Sequence, residues 1–227
     1  MSAEAALALR LRAIPVAEMS DTLEAAGLPG WILDPALRRR APGPRLAGPA
    51  ICLTGETSAR PGLPIRTVDG AIRPGAVAVV GPGDGCAAAL VGGNMVSAWR
   101  MAGLAGLVVD GAVRDSGDFA DLPVYARGVS PRNCRGQWRF VALGRPLTLP
   151  GAAGPVTIAP GDWLHGDDDG IAVLPGAALV QLIEDAEAVG RIERRMRARI
   201  LAGEDRQSIY EDSPRFAAVR AVVRAAG

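Results

Sequence analysis

Two short apolar runs, each closed by glycine or proline, constrain this chain more than anything else in it. Ala76–Val80 is wholly apolar and lies between the Pro74-Gly75 turn and Gly81-Pro82-Gly83, and Leu107–Asp110 is apolar up to an aspartate that runs into Gly111. Runs of this length without polar alternation suit strands buried on both faces, the usual condition of a parallel sheet. Further strands are expected at Ala50–Thr54, Val124–Ala126, Gly154–Ile158 and Gly170–Leu174, each flanked by glycine or proline. Between them, apolar residues recur at helical spacing. The pattern predicts a helix over Ala3–Ile14 ended by Pro15, and another over Val16–Ala26 closed by Gly27. It also predicts helical stretches within residues 86–103 interrupted by Gly92-Gly93, a long helix over Leu179–Ala202, and a last one over Pro214–Ala226. Leu33–Pro49 and Thr57–Ile65 read as loops. This is an α/β pattern, and 227 residues, 49% of them hydrophobic, supply one substantial core. The expectation is one domain over residues 1–227, with an N-terminal helix in 1–15 and a helical extension in 204–227.

The charges exclude several chemistries. All 25 basic residues are arginine and none is lysine. No side-chain amine is present to form a Schiff base, and no P-loop lysine to hold a nucleotide. Any carbanion formed here needs another electron sink. The net charge of +1 gives no overall field toward nucleic acid or an anionic membrane, and "RIERRMRARI" reads as the charged face of an amphipathic helix. No run approaches the ~20 apolar residues of a membrane span, and the N-terminal apolar stretch is broken by Arg10 and Arg12, unlike a signal peptide. The three cysteines, Cys52, Cys86 and Cys134, read as reduced thiols. A soluble, cytoplasmic protein is expected. The single histidine, His165, rules out a histidine-rich metal site and is expected to be structural or exposed.

Three stretches can carry chemistry. In "LVVDGAVRDSGDF" (107–119) a buried strand ends at Asp110-Gly111, and Arg114-Asp115 follow in the loop. Polar groups at the carboxyl end of a strand are where α/β sites form. Arg114 offers a planar fork to a carboxylate, and Asp115 offers a hard oxygen to Mg²⁺ or Mn²⁺. In "VGGNMVSAWRMAG" the glycine pair opens a helix, so the backbone amides of Gly93, Asn94 and Met95 form a candidate nest for a carboxylate. In "APGDWLHGDDDGIAVLP" the Asp167–Asp169 cluster lacks the spacing of a calcium loop and reads as a solvated acidic hairpin.

These stretches together resemble the RraA-like family. The matching pieces are "VAEMSDTLEAAG", "RLAGPAICL", "RPGAVAVV", "GLAGLVVDGAVRDSGDFADLPVYARGVSP" and "VTIAPGDWLHGDDDGIAVLPG", from about residue 16 to 203. The resemblance implies a β/β/α swivelling-type fold, assembled as a homotrimer or hexamer with sites at subunit boundaries. It implies a metal-dependent aldolase that cleaves a 4-hydroxy-2-oxo dicarboxylic acid to pyruvate and a second 2-oxo acid, with oxaloacetate decarboxylation as a further activity. Its cofactor would be Mg²⁺ or Mn²⁺. By the same resemblance Arg114 contacts the substrate's oxo and carboxylate oxygens, Asp115 ligates the metal, and Gly93–Met95 bind the pyruvyl carboxylate. Glu193 falls where catalytic members carry an acid that reaches the neighbouring subunit's metal site. One departure stands out: the family's upstream acid falls at position 93, which here is Gly93. A positioned acid–base group contributes roughly 10²–10⁴-fold, so aldol cleavage should suffer more from its loss than decarboxylation does. Asp84 or one of Asp167–Asp169 is a candidate replacement. Relatives that regulate a ribonuclease typically lack the metal-binding aspartate, which this chain keeps; a non-catalytic partner-binding protein, or an enzyme for another hydroxy or oxo acid, is the alternative.

Overall fold

The computed structural model describes residues 2–28 and 30–222. Two helices open the chain, α1 (Ala3–Ala13), capped by the Ser2 hydroxyl, and α2 (Val16–Ala25), which ends at Gly27 in the left-handed conformation. Then come β1 (Arg38–Arg39), β2 (Leu46–Thr57), α3 (Ile65–Asp69), β3 (Val77–Gly81), β4 (Ala89–Val91), α4 (Gly93–Met101), β5 (Gly106–Val113) and β6 (Val124–Val129). The second half adds β7 (Trp138–Leu143), β8 (Leu147–Gly151), β9 (Gly154–Ile158), β10 (Trp163–Gly166), β11 (Ile171–Leu174), α5 (Leu179–Leu201) and α6 (Arg206–Asp212).

The main sheet runs β1-β6-β5-β3-β2-β10-β11, with β4 added to β5 and β7 added to β2; β8 and β9 form a separate hairpin. Its centre, β2-β3-β5-β6, is parallel, and the flanking pairs are antiparallel. The expected burial on both faces is present. Ala78 and Val80 of β3, with Leu107 and Val109 of β5, face a core closed by Val96 and Trp99 of α4. Val77, Val79 and Val108 point the other way, onto Leu147, Leu149, Val156 and Ile158 of the β8-β9 hairpin. A third core joins α1, α2 and α5 to β10 and β11.

Several expectations need correction. The Leu33–Pro49 loop contains β1 and the start of β2, which extends to twelve residues because three partners, β10, β3 and β7, engage successive parts of it. Ala89–Val91 is a strand rather than helix, since parallel pairing with Ala112 and Val113 outweighs the helical preference of Ala and Leu. The Pro214–Ala226 helix does not form over 214–222; its remaining residues, 223–226, lie outside those described. A short helix, α6, capped by Asp205, precedes that stretch instead. The chain then docks as an irregular segment: Arg220 binds Asp185, Glu184 and the Gln181 carbonyl on α5, and Val222 N–H donates to Ala26 O (2.9 Å). Those tertiary contacts outweigh the local preference, and Ser213, placed to cap a helix at Pro214, instead donates to Asp212 Oδ1 (3.0 Å).

The acidic stretch before β11 is the turn of the β10-β11 hairpin, with Asp168 and Asp169 exposed as expected, whereas Asp167 is tied down. Asp167 accepts the Val16 N–H at the start of α2 (3.0 Å) and the Asp169 N–H (3.0 Å), and pairs with Arg45 (3.4 Å). It therefore caps α2 from a distance. His165 beneath it is fully buried, its Nε2 against Ile14 O (3.0 Å) and its Nδ1 without a hydrogen-bond partner. Desolvation lowers its pKa to about 4, against the weaker upward pull of Asp167 and the Ile14 carbonyl. The unfolded chain binds that proton below about pH 6.5 and the folded chain only near 4. Stability is thus complete above about pH 6.5 and falls by up to about 3 kcal/mol as pH drops toward 4. His165→Gln should flatten that limb in urea-unfolding midpoints taken from pH 7 to pH 4.5; parallel profiles for both proteins would reject the assignment.

Candidate active site

The Arg114-Asp115 corner is built by three segments distant in sequence. β5 delivers Arg114 at its carboxyl end, and β4 pairs in parallel with the last residues of that strand, so Gly92 and the N-terminus of α4 arrive beside it. The Arg114 N–H donates to Val91 O (3.1 Å), which locks the two segments together. Gly92 is needed for the approach: a Cβ there would lie 3.0 Å from Arg114 Nε and 3.1 Å from Asp115 Oδ2. Asp115 holds a left-handed backbone (φ 58°), which aspartate tolerates better than most residues. Its Oδ2 accepts the Gly93 N–H (3.1 Å) and stands 3.7 Å from Arg114 Nε, with 46% of the side chain still exposed.

The amide nest is narrower than the sequence suggests. Gly93 N–H is taken by Asp115 and Met95 N–H turns back to Gly92 O (3.1 Å), so of the three amides Asn94's alone has no partner among the described residues. The glycine at 93 also acquires a reason. A Cβ there would meet Asp118 Oδ2 at 2.8 Å and the Asp115 Cβ at 2.9 Å, so these two aspartates occupy the space an acidic side chain at 93 would need.

Arg114, Asp115, Asn94 and Met95 share a cleft of about 460 Å³ with Asp69, Trp138 and three residues the sequence did not single out, Asn133, Arg135 and Arg139. Arg139 is committed to Glu56 (2.6 and 3.0 Å), and Asp69 accepts the Trp99 indole N–H (2.8 Å). Asn133, Arg135, Trp138 and Arg139 come from the loop after β6 and from β7, and no local pattern links them to Arg114. Trp138 fixes one wall, donating Nε1–H to Pro82 O (2.9 Å) and stacking edge-on against Phe140 (4.9 Å). Its indole lies over Gly55, where a Cβ would be 1.9 Å from the ring. Gly55→Ala should therefore displace Trp138 and cost about 2–3 kcal/mol by overpacking. Thermal unfolding and the indole emission of the variant measure it, and an unchanged midpoint would contradict the packing.

Other expected participants lie elsewhere. Glu193, on α5, does not line this cleft; its carboxylate is bound by Arg215 of the same chain. Asp84 lines a separate cleft of about 740 Å³ with Cys86, Asp110 and Arg127, where Arg127 bridges Asp110 and Asp34. Asp167 is engaged at α2, Asp168 pairs with Arg39 (3.2 Å), and none of Asp167–Asp169 lines the cleft, so neither candidate replaces the acid missing at 93. The three cysteines are unpaired, with Cys52 buried and its thiol pushed up to about 11 by burial. Among the described residues no three His, Cys, Asp or Glu side chains converge into a ready-made metal cage, and no helix is long and apolar enough to cross a membrane. Asp115 nevertheless fits a hard cation of the Mg²⁺ type, which is held through one or two carboxylates while water and substrate oxygens complete the shell.

Fold and cleft together define a mixed α/β protein that gathers a guanidinium, a carboxylate and a free helix-end amide in one cleft. The chain belongs to the RraA-like family, Aldolase/RraA, which it matches over residues 16–173. A protein of Burkholderia multivorans provisionally named 4-hydroxy-4-methyl-2-oxoglutarate aldolase is 37% identical over 146 residues, 63% of this chain and 83% of that protein. An uncharacterized protein of Methanocaldococcus jannaschii is 32% identical over 121 residues, 48% of this chain; the match spans about half of that relative's length, 51%. The crystal structure of RraAS2 from Streptomyces coelicolor, described as an unusual member of the RNase ES inhibitor RraA family, superimposes with a TM-score of 0.75 at 25% identity, covering 85% of this chain and 97% of that one.

Proposed function

We propose that this protein is a divalent-metal-dependent carbon–carbon lyase that cleaves a 4-hydroxy-2-oxo dicarboxylic acid to pyruvate and a second 2-oxo acid. The observation that carries the reading is the Arg114-Asp115 corner, held against the free Asn94 amide in a cleft of substrate size. The absence of lysine leaves no Schiff-base route, so the electron sink must be brought in. A bound Mg²⁺ or Mn²⁺ would supply it by polarising the 2-oxo group. Asp115 would hold that ion through the carboxylate oxygen not engaged by Gly93. Arg114 would clamp the carboxylate next to the oxo group with its fork, and Asn94 N–H would donate to the same carboxylate. As the C3–C4 bond breaks, its electron pair goes to C3, the 4-hydroxyl gives up its proton and becomes a carbonyl, and C3 is then protonated to yield pyruvate. Assembly as a trimer or hexamer, with Glu193 serving a neighbouring site, belongs to the same reading and requires Glu193 to leave Arg215.

Because no acid stands at 93, oxaloacetate decarboxylation, which removes no hydroxyl proton, should outrun aldol cleavage. The test is pyruvate release from a panel of 4-hydroxy-2-oxo acids and from oxaloacetate, with and without Mn²⁺. Mn²⁺-dependent release with decarboxylation the faster is expected. Comparable rates would refute the role given to position 93, and no release from any substrate would favour a non-catalytic, partner-binding member of the family.

A further inference from the structure

We infer that Arg135 reads the far carboxylate of the substrate and makes the cleft selective for dicarboxylates. This rests on the oxo-acid reading of the site and adds a residue to it. Of the arginines lining the cleft, Arg139 is held by Glu56 and by Pro61 O, and Arg114 lies against Asp115. The Arg135 guanidinium has neither an ion-pair nor a hydrogen-bond partner among the described residues. Its loop, however, is firmly placed. Arg135 N–H donates to Asn133 Oδ1 (2.7 Å), Gln137 and Trp138 N–H both donate to Cys134 O (2.8 and 3.0 Å), and Ala89 N–H donates to Arg132 O (2.8 Å). Asn133 forms a parallel bridge with Ala89, so the loop is anchored to β4, the strand that leads directly into the N-terminus of α4. The base of the side chain is thus fixed relative to Asn94 and Arg114, while its charge is left for a ligand. The Arg114 fork and the unpartnered Arg135 fork in one cleft match an acid with a carboxylate at each end.

The experiment compares two five-carbon probes that differ only at the far end, 2-oxoglutarate and 2-oxovalerate, by calorimetry in the presence of Mn²⁺. The wild-type protein should bind 2-oxoglutarate at least about tenfold more tightly, the worth of one charge-assisted contact. Arg135→Gln should erase that preference while leaving 2-oxovalerate binding within about twofold, and Arg135→Lys should restore part of it. A preference that survives Arg135→Gln, equal weakening of both probes, or a wild-type protein that binds neither would each overturn the inference. An Arg135-dependent preference in a protein that cleaves no hydroxy-oxo acid would instead leave the inference standing and refute the lyase reading.

Discussion

Asp115→Ala is expected to abolish Mn²⁺-dependent turnover, because it removes the carboxylate next to Arg114 whose second oxygen is free for a cation. The carboxylate has a second task, since it accepts the Gly93 N–H at the start of α4. Alanine loses that cap and must also hold a backbone at φ 58°, so about 2 kcal/mol of stability should go with it. Asparagine separates the two tasks. Its side-chain oxygen accepts the same N–H and it tolerates the left-handed conformation, but it carries no charge. Asp115→Asn should therefore unfold at nearly the wild-type urea concentration and still fail to respond to Mn²⁺ in a pyruvate-release assay. Wild-type rates for Asp115→Asn at saturating Mn²⁺ would remove the metal anchor from this site.

Arg114→Ala should lower kcat/KM by roughly 10²–10³-fold, the scale of losing a bidentate clamp that orients the oxo group for reaction. The guanidinium is preorganised here by backbone. The backbone N–H of Arg114 is pinned to Val91 O, and the missing side chain at Gly92 leaves room for Nε and Cγ to lie against α4. Arg114→Lys keeps the charge but loses the planar fork, so it should recover only a small part of the rate. Stability should change little in either variant, since the Arg114–Asp115 pair is half-exposed and its Nε–Oδ2 distance is 3.7 Å. Full turnover by Arg114→Ala would remove the carboxylate clamp from the reading.

Legibility from sequence followed the range of the interactions concerned. The strand ending at Asp110 and the Arg-Asp corner beyond it were readable because a buried strand and the turn that closes it are neighbours in the chain. The amide nest was readable as a location, but not as an occupancy: that Asp115 fills Gly93's amide depends on a carboxylate twenty-two residues away. β4 escaped notice because Ala-Leu-Val after two further alanines is too short a run to signal a strand until β5 lies beside it. Over residues 214–222 the expected helix failed for a related reason, its periodicity being outweighed by Arg220 binding to α5.

By itself the sequence determined the class of fold, through short apolar runs that suit doubly covered strands alternating with helical segments, and it excluded lysine amine chemistry. It also placed Arg114 and Asp115 together. Only the tertiary structure decided that Gly93 is glycine because Asp115 and Asp118 crowd it, that Glu193 is engaged by Arg215, and that Arg135 shares the cleft with Arg114. The reason is physical. Periodicity and turn chemistry act between residues a few positions apart, whereas a steric exclusion or a charge left without a partner exists only after parallel pairing has brought distant segments within a few ångströms of one another.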